Sequence, residues 1–126
     1  MFCYGKKTPW IPKILPLQIF IIGQIAIVGI PAEITTMAGA RLRETVAKVL
    51  EERGVSEVLI SPYANSYAGY ITTYEEYRMQ LYEGGHTLFG KWTLAAYQMK
   101  FKELATELLK EPTDRKKYTL QPDMFD

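Results

Sequence analysis

The apolar and polar positions of this chain predict strands first and helices later. Two apolar stretches, residues 17–22 and 25–30, are rich in isoleucine and other residues that favour strands. Gly23-Gln24 lies between them and predicts a two-residue turn, although the pattern also fits one bent strand. Because these are continuous apolar runs, we expect both faces of the strands to be covered, which takes more layers than two later helices easily provide.

Apolar residues at helical spacing predict two long helices. The first covers about 35–53, starts at one of two adjacent threonines and is ended by Gly54. The second covers about 91–110 and is stopped by Pro112. The apolar stripes consist of Ala38, Leu42, Val46, Val49 and Leu50 in the first helix and of Leu94, Tyr97, Phe101, Leu104, Ala105 and Leu108 in the second.

The region between the two long helices predicts a third strand over 55–61 and a tyrosine-containing loop over 62–72. Thr73 followed by Glu76 fits a capping box, which predicts a short helix to about residue 81. The pair Gly84-Gly85 is expected to break this helix. Together these elements predict an α+β fold.

The two ends of the chain predict little regular structure. Residues 1–16 contain three prolines, each of which removes a backbone donor, so this segment is expected to be an irregular covering arm. The single cysteine, Cys3, excludes an internal disulfide framework and is interpreted as inert. Residues 113–126 are polar and predict a tail on the surface.

Composition narrows the class of protein without identifying it. A chain of 126 residues is the size of one domain, and 48% hydrophobic residues are enough for a core. The formal net charge of +1 gives no reason to expect a nucleic acid partner. Residues 14–30 are mostly apolar but short for a membrane span and interrupted by polar residues, so strands are the favoured interpretation.

Glu33 and a run of tyrosines are the candidate functional residues. Glu33 lies between a buried strand and a helix start, where a carboxylate stabilises the helix N-terminus by about 0.3–1 kcal/mol. Position alone favours that role over a metal ligand or an acid–base group. The tyrosines crowded into residues 67–82 are expected mostly in the core or at its rim. His86 is the only histidine, and motifs such as HExxH and GxSxG are absent, so local chemistry predicts an incomplete enzyme or none.

Two longer stretches carry a resemblance to a known family. They read PWIPKILPLQIFIIGQIAIVGIPAEITTMAGARLRE, over 9–44, and NSYAGYITTYEEYRMQLYEGGHTLFG, over 65–90. This sequence resembles the neutral/alkaline non-lysosomal ceramidases over about residues 9–110. Several short ungapped motifs of the family occur here in the family's order and at its spacing. The resemblance implies that residues 1–112 are the C-terminal portion of a zinc-dependent catalytic domain, followed by the polar tail.

That resemblance implies an amidohydrolase that cleaves the N-acyl bond of ceramide to a sphingoid base and a fatty acid. Members of the family hold one zinc ion with two histidines, one glutamate and one tyrosine. Glu33 matches the glutamate, Tyr70 matches the tyrosine, and Tyr82 matches a further tyrosine that lines the site. Glu33 and Tyr70 are therefore expected to lie close together and to point to one cavity beside the start of the first long helix, on the same side as Tyr82. No residue here matches the two histidine ligands or the family's catalytic serine, so the isolated chain is expected to be inactive.

The implied roles are consistent with the chemistry of zinc. Zinc lowers the pKa of its bound water to about 7 and polarises a carbonyl, and an amide needs both effects. A tyrosine beside zinc, such as Tyr70, would be pushed toward the phenolate. As an anchor that can shift when the tetrahedral intermediate forms, Tyr70 is a candidate catalytic residue as well as a ligand. The hydroxyl of Tyr82 would donate a hydrogen bond to the developing oxyanion.

The chain departs from the family pattern at a few positions. Ala40 and Leu81 stand where arginine is common, His86 replaces a serine, and Lys91-Trp92 replaces a Pro-His pair. These changes affect the expected substrate preference more than the metal site. His86 is interpreted as a loop residue, since the family has no ligand at that position.

Two hypotheses from different classes remain open. In the first, this is part of a ceramidase, with ceramide or a related N-acyl sphingolipid as substrate, the rest of the catalytic domain as partner, and a membrane surface reached through the lipid. The resemblance implies an extracellular or membrane-associated location. In the second, it is a binding or structural module that kept the fold and lost catalysis. The DNA upstream of Met1 would discriminate them: an in-frame continuation with two spaced histidines and a serine favours the first.

Overall fold

The computed structural model of the protein describes residues 11–117. In chain order its elements are β1 (Gln18–Ile22), β2 (Ile25–Gly29), β3 (Glu33–Ile34), α1 (Thr36–Leu50), β4 (Glu57–Ser61), β5 (Tyr70–Ile71), α2 (Tyr74–Met79), α3 (Tyr82–Gly85) and α4 (Thr93–Leu109). A 3₁₀ turn, Glu51–Arg53, follows α1. The α+β prediction is confirmed.

Three of the strands form one sheet in the order β1-β2-β4. β1 and β2 are antiparallel and joined by the predicted turn, in which Gly23 takes a left-handed conformation with φ +60°. β2 and β4 are parallel, with Ala26 opposite Val58. A parallel pair needs a crossover, and α1 provides it, which is why a long helix lies between these two strands in the chain.

The core lies on one face of this sheet. Alternate strand residues such as Val28 and Val58 pack there against the apolar stripes of both long helices, and Leu42, Val46 and Phe101 are among the most buried side chains. The opposite face carries Phe20 and Ile22, which are 54% and 67% exposed. Both long helices pack on the same face of this sheet. Within residues 11–117 the opposite face is therefore not covered, although both faces were expected to be.

The ends of the long helices follow the predicted signals. Thr35 is the N-cap of α1, and its hydroxyl accepts from the backbone of Ala38 at 3.4 Å. After the 3₁₀ turn, Gly54 takes a left-handed conformation with φ +80° and ends the helical segment, as predicted. α4 begins two residues later than predicted and ends at Leu109.

The glycine pair does not have the predicted role. The short helix α2 has the predicted capping box but ends at Met79, because Gln80 takes a left-handed conformation with φ +50°. Gly84 and Gly85 instead lie within α3. A Cβ at Gly84 would lie 3.0 Å from the backbone oxygen of Glu76, so the glycine allows α3 to pack closely on α2.

The two ends agree with prediction where the structure describes them. Residues 11–17 contain no helix or strand, and residues 111–117 are largely exposed. The rest of the arm, including Cys3, and residues 118–126 lie outside the described residues. None of the helices within the described range is long and apolar enough to cross a membrane.

An ion pair joins α1 to α2 and gives a prediction about titration. The guanidinium of Arg41 donates to both carboxylate oxygens of Glu75 at 2.9 and 3.3 Å, and these hydrogen bonds lower the pKa of Glu75 to about 2. We expect Arg41→Ala to raise that pKa toward 4.5. The charged pair therefore favours the folded state above pH 4.5 and loses this contribution as the pH falls toward 2.

Carboxyl ¹³C chemical shifts recorded against pH would measure this change. Lys48→Ala is the matched control, because Lys48 pairs with Glu44 on the same helix at 2.7 Å and lowers the pKa of that residue instead. It should leave the titration of Glu75 as it is. An unchanged midpoint for Glu75 in Arg41→Ala would contradict the prediction.

Candidate functional site

Glu33 and Tyr70 lie side by side in a second, two-stranded sheet. β3 and β5 are parallel, and their register pairs Glu33 with Tyr70 and Ile34 with Ile71. The backbone N–H of Glu33 donates to the oxygen of Gly69 at 2.9 Å. Paired residues of neighbouring strands point to the same face, so this register brings the two side chains together. The predicted proximity of Glu33 and Tyr70 is confirmed; their role as metal ligands stays a prediction.

Several phenol groups surround the carboxylate of Glu33. The Tyr67 hydroxyl donates to Oε1 at 2.8 Å, and the rings of Tyr63 and Tyr67 stack with centroids 6.3 Å apart. Hydrogen bonding by Tyr70, and then by Tyr67, lowers the pKa of Glu33. Glu33 is therefore an anion held by neutral donors rather than a proton carrier in this arrangement.

The carboxylate acts on the phenols in the opposite direction. Hydrogen bonding to Glu33 raises the pKa of Tyr67 to about 12, and it raises the pKa of Tyr70 as well. Both phenols are thus neutral at physiological pH beside the bare carboxylate. A cation bound here would favour the phenolate instead, since it stabilises the charged form of its ligands.

This donor set fits part of a metal site. A carboxylate and a phenol oxygen converge from adjacent strands. Zinc accepts carboxylate ligands, and the resemblance implies a tyrosine ligand beside them. Within residues 11–117, no group of three or more His, Cys, Asp and Glu side chains is placed to hold a metal ion. The residues therefore fit two positions of a zinc site, and nitrogen ligands would have to complete it.

Tyr82 lies on the same side as Tyr70, as predicted. Their rings make an edge contact with centroids 5.9 Å apart and an interplanar angle of 80°. Tyr82 is 66% exposed. A cavity of about 430 Å³ lies beside the start of α1, and its lining includes Tyr70, Thr36, Glu76 and Leu81. Glu33 and Tyr82 do not line this cavity, so the expectation that Glu33 and Tyr70 point into the same one is not met.

His86 supports this site mainly through its backbone. Its carbonyl accepts from the N–H of Tyr70 at 3.0 Å, and it caps α3, in agreement with its interpretation as a loop residue. Its ring lies 4.5 Å from that of Tyr82, and Nδ1 lies 2.7 Å from the carbonyl oxygen of Tyr82. Because a carbonyl can only accept, Nδ1 carries the proton in this contact.

Sequence reasoning gave Tyr63 and Tyr67 no specific role at Glu33. Tyr67 reaches the carboxylate, with Tyr63 stacked on it, from a loop before β5 that turns through two left-handed residues, Tyr63 at φ 58° and Asn65 at φ 64°. Apolar periodicity carries no information about such a turn. The available signal was the density of tyrosines on both sides of Gly69, a residue that permits close backbone approach.

Gly69 sets the spacing between this loop and α3, which gives a second prediction. It has φ +75°, and a Cβ there would lie 2.6 Å from the backbone oxygen of His86. Gly54→Ala is a matched control, because Gly54 has φ +80° but nothing within 4 Å. Gly54→Ala should cost about 1–2 kcal/mol of stability from the left-handed backbone alone. Gly69→Ala should cost roughly 1–3 kcal/mol more, because the loop and α3 must separate.

Chemical denaturation of the two variants would give these free energies. Tyrosine resonances near Glu33 should also shift in Gly69→Ala and stay in place in Gly54→Ala. Equal stability losses in the two variants would show that the contact with His86 imposes no constraint.

Comparison with known proteins adds an independent finding. A sequence model of the family described as neutral/alkaline non-lysosomal ceramidase, N-terminal, matches residues 3–99. The chain is 52% identical over 103 residues to a neutral ceramidase of Pseudomonas aeruginosa and 48% identical over 105 residues to neutral ceramidase A of Dictyostelium discoideum. Each alignment covers 82% of this chain and 15% of the relative, so the chain spans about 15% of the length of these curated relatives.

Solved structures of ceramidases share this fold. The crystal structure of the neutral ceramidase from Pseudomonas aeruginosa matches with a TM-score of 0.85 at 46% identity, over 97% of this chain and 19% of that one. A ceramidase structure described as complexed with C2 also matches with a TM-score of 0.85, at 45% identity over 94% of this chain and 18% of that one.

Proposed function

This chain belongs to the neutral/alkaline non-lysosomal ceramidase family, and we propose that it supplies part of a zinc-dependent site that hydrolyses the N-acyl bond of ceramide. The observation that carries the proposal is the register of the short sheet. Glu33 and Tyr70 are paired there, although they lie far apart in sequence. The neighbouring pair of the same sheet, Ile34 with Ile71, packs into the core and anchors this register, so Glu33 and Tyr70 are held side by side at its edge.

In the proposed site, Glu33 and Tyr70 are ligands of one zinc ion. When bound, the ion supplies a Lewis acid that polarises the amide carbonyl and lowers the pKa of water. Tyr67 holds the carboxylate of Glu33 through its 2.8 Å hydrogen bond and so fixes the direction of that ligand. Two histidine ligands and the catalytic serine come from parts of the domain that this sequence does not contain.

Tyr82 has a different proposed role. Its exposed side chain contacts the ring of Tyr70, and from there its hydroxyl would donate a hydrogen bond to the oxygen of the scissile carbonyl. Such a donor acts where negative charge develops, and its loss typically costs a factor of about 10²–10³ in kcat. Tyr82 is therefore proposed as a catalytic residue, and Tyr70 as both ligand and neighbour of the reacting group.

The proposed substrate is ceramide or a related N-acyl sphingolipid. The names of the relatives support this class, since the proteins of Pseudomonas aeruginosa and Dictyostelium discoideum are neutral ceramidases. The exposed apolar side chains around the cavity beside α1, Met79 and Leu81, suit a lipid more than a polar amide. A lipid substrate would bring the protein to a membrane surface.

A chimera tests the proposal directly. Residues 3–99 of this chain would replace the matching segment of the Pseudomonas aeruginosa neutral ceramidase, a relative 52% identical to it. We expect the chimera to bind one zinc ion per chain and to release fatty acid from ceramide. A folded chimera with neither property would contradict the proposal and favour the alternative, a non-catalytic module derived from this domain.

A further inference from the structure

One carboxylate, that of Glu76, connects the ends of both strands of the short sheet. Its Oε2 accepts from the hydroxyl of Thr35 at 2.7 Å and from the backbone N–H of Thr73 at 2.8 Å. The backbone N–H of Glu76 donates back to the hydroxyl of Thr73 at 3.1 Å. The capping box of α2 thus has an additional partner, Thr35, which lies 41 positions away along the chain.

The position of the two threonines makes this contact important. Thr35 directly follows β3 and caps α1, while Thr73 lies two residues after β5 and caps α2. The strands form only two residue pairs, and the N–H of Thr35 bonds to the oxygen of Ile71 at 3.1 Å. Two-stranded pairs are marginal by themselves, so a link at their carboxyl ends has a large share in holding the register.

The chemistry of glutamate suits this link. A charged oxygen forms stronger hydrogen bonds than a neutral one, and it lies at the N-termini of α1 and α2, where negative charge is favoured. Glutamine has the same length and one carbonyl oxygen, so it can accept both bonds more weakly. Alanine removes both bonds.

We propose that Glu76 is a positioning residue that holds Glu33 and Tyr70 in register. Glu76 acts through Thr35, which directly follows β3, and through Thr73, which lies two residues after β5. The inference rests on the proposed metal role of Glu33 and Tyr70. It goes beyond that role by assigning the alignment of the ligands to a residue of a different helix.

Hydrogen exchange on the 126-residue chain tests the alignment without a metal. The amide protons of Glu33 and Thr35 report on the bonds from β3 to Gly69 and Ile71. In Glu76→Ala we expect them to exchange about tenfold faster, as for loss of a hydrogen bond to a charged group. Glu76→Gln should recover most of the protection. Glu44→Ala, which breaks only an exposed pair with Lys48 within α1, should leave both amides unchanged.

The pattern of exchange distinguishes positioning from general stability. If Glu76→Ala accelerates core amides, such as that of Phe101, as much as those of β3, Glu76 is only a stabilising cap and the proposal is overturned. Unchanged exchange at Glu33 and Thr35 would overturn it as well. A local effect, confined to β3 and β5, supports it.

Zinc affinity in the chimera provides the second readout. Competition with a chelator should show affinity about 10–100-fold lower for Glu76→Ala than for the unsubstituted chimera, with recovery in Glu76→Gln. Equal affinity in all three proteins would overturn the positioning role. A folded chimera that binds no zinc would refute the proposed function instead, and the hydrogen exchange of β3 would still decide the role of Glu76.

Discussion

Glu33→Ala is expected to abolish ceramide hydrolysis by the chimera and to reduce its zinc content to well below one ion per chain. The substitution removes the carboxylate that the strand register pairs with Tyr70. Bound zinc contributes several kcal/mol to transition-state stabilisation, and each 1.36 kcal/mol is a factor of ten in rate. Loss of about 4 kcal/mol would therefore lower kcat/KM by about a thousandfold.

Other substitutions separate loss of the ion from general damage. Glu44→Ala, which removes an exposed carboxylate paired with Lys48 on α1, should leave zinc and activity unchanged. Tyr70→Phe should weaken both severely. Tyr82→Phe should keep the zinc and lower kcat, since a hydrogen-bond donor is removed and no ligand is lost.

Two measurements on the same samples check this prediction. Zinc per chain is measured by elemental analysis, and fatty acid release from ceramide is measured as kcat and KM. Circular dichroism would verify that each variant is folded. If Glu33→Ala keeps both the ion and the rate, Glu33 is a helix-start carboxylate only, which is the role that its position in the sequence favoured.

The long elements of this fold were predictable because each repeats its signal. α1 and α4 have several turns of apolar spacing, and their ends carry recognisable caps such as Thr35 and Gly54. β1 and β2 have continuous apolar runs with a turn between them. Local chemistry and burial agree along these segments, so the sequence was sufficient to place them.

The short elements were not predictable in the same way. β3 and β5 contain two residues each, which is too few for any period to be visible, and they form only because distant segments meet. The ending of α2 depends on a left-handed Gln80, a conformation that its residue type does not signal. Tertiary contacts decide such positions, and these include the close packing of Gly84 on α2.

In the candidate site, too, some features were predictable from the sequence and others were not. The pairing of Glu33 with Tyr70 was expected because the chain resembles a family, whereas charge and periodicity gave Glu33 an ordinary helix-start role. The contact from Tyr67 was missed, since it depends on the turn through Tyr63 and Asn65. A capping box was predicted from Thr73 and Glu76, but its extension to Thr35 joins segments whose proximity the local sequence does not contain.

The 126-residue chain alone is expected to release no fatty acid from ceramide and to bind zinc at least about a thousandfold more weakly than the chimera. Its described residues offer two proposed ligands, both oxygens, whereas zinc prefers four ligands with nitrogen or sulfur among them. Complete zinc sites contribute roughly 10–16 kcal/mol, so loss of about half of the ligands removes several kcal/mol.

Paired assays on the chain and on the chimera check this expectation, with zinc affinity measured by chelator competition and turnover measured on ceramide. The chain carrying Glu33→Ala is the matched control, because any weak zinc binding through Glu33 should disappear in it. Strong ceramide cleavage by the unsubstituted chain would contradict the proposed division of the site. It would make His86 the next candidate ligand, since its ring already lies against Tyr82, and His86→Ala would then have to remove the activity.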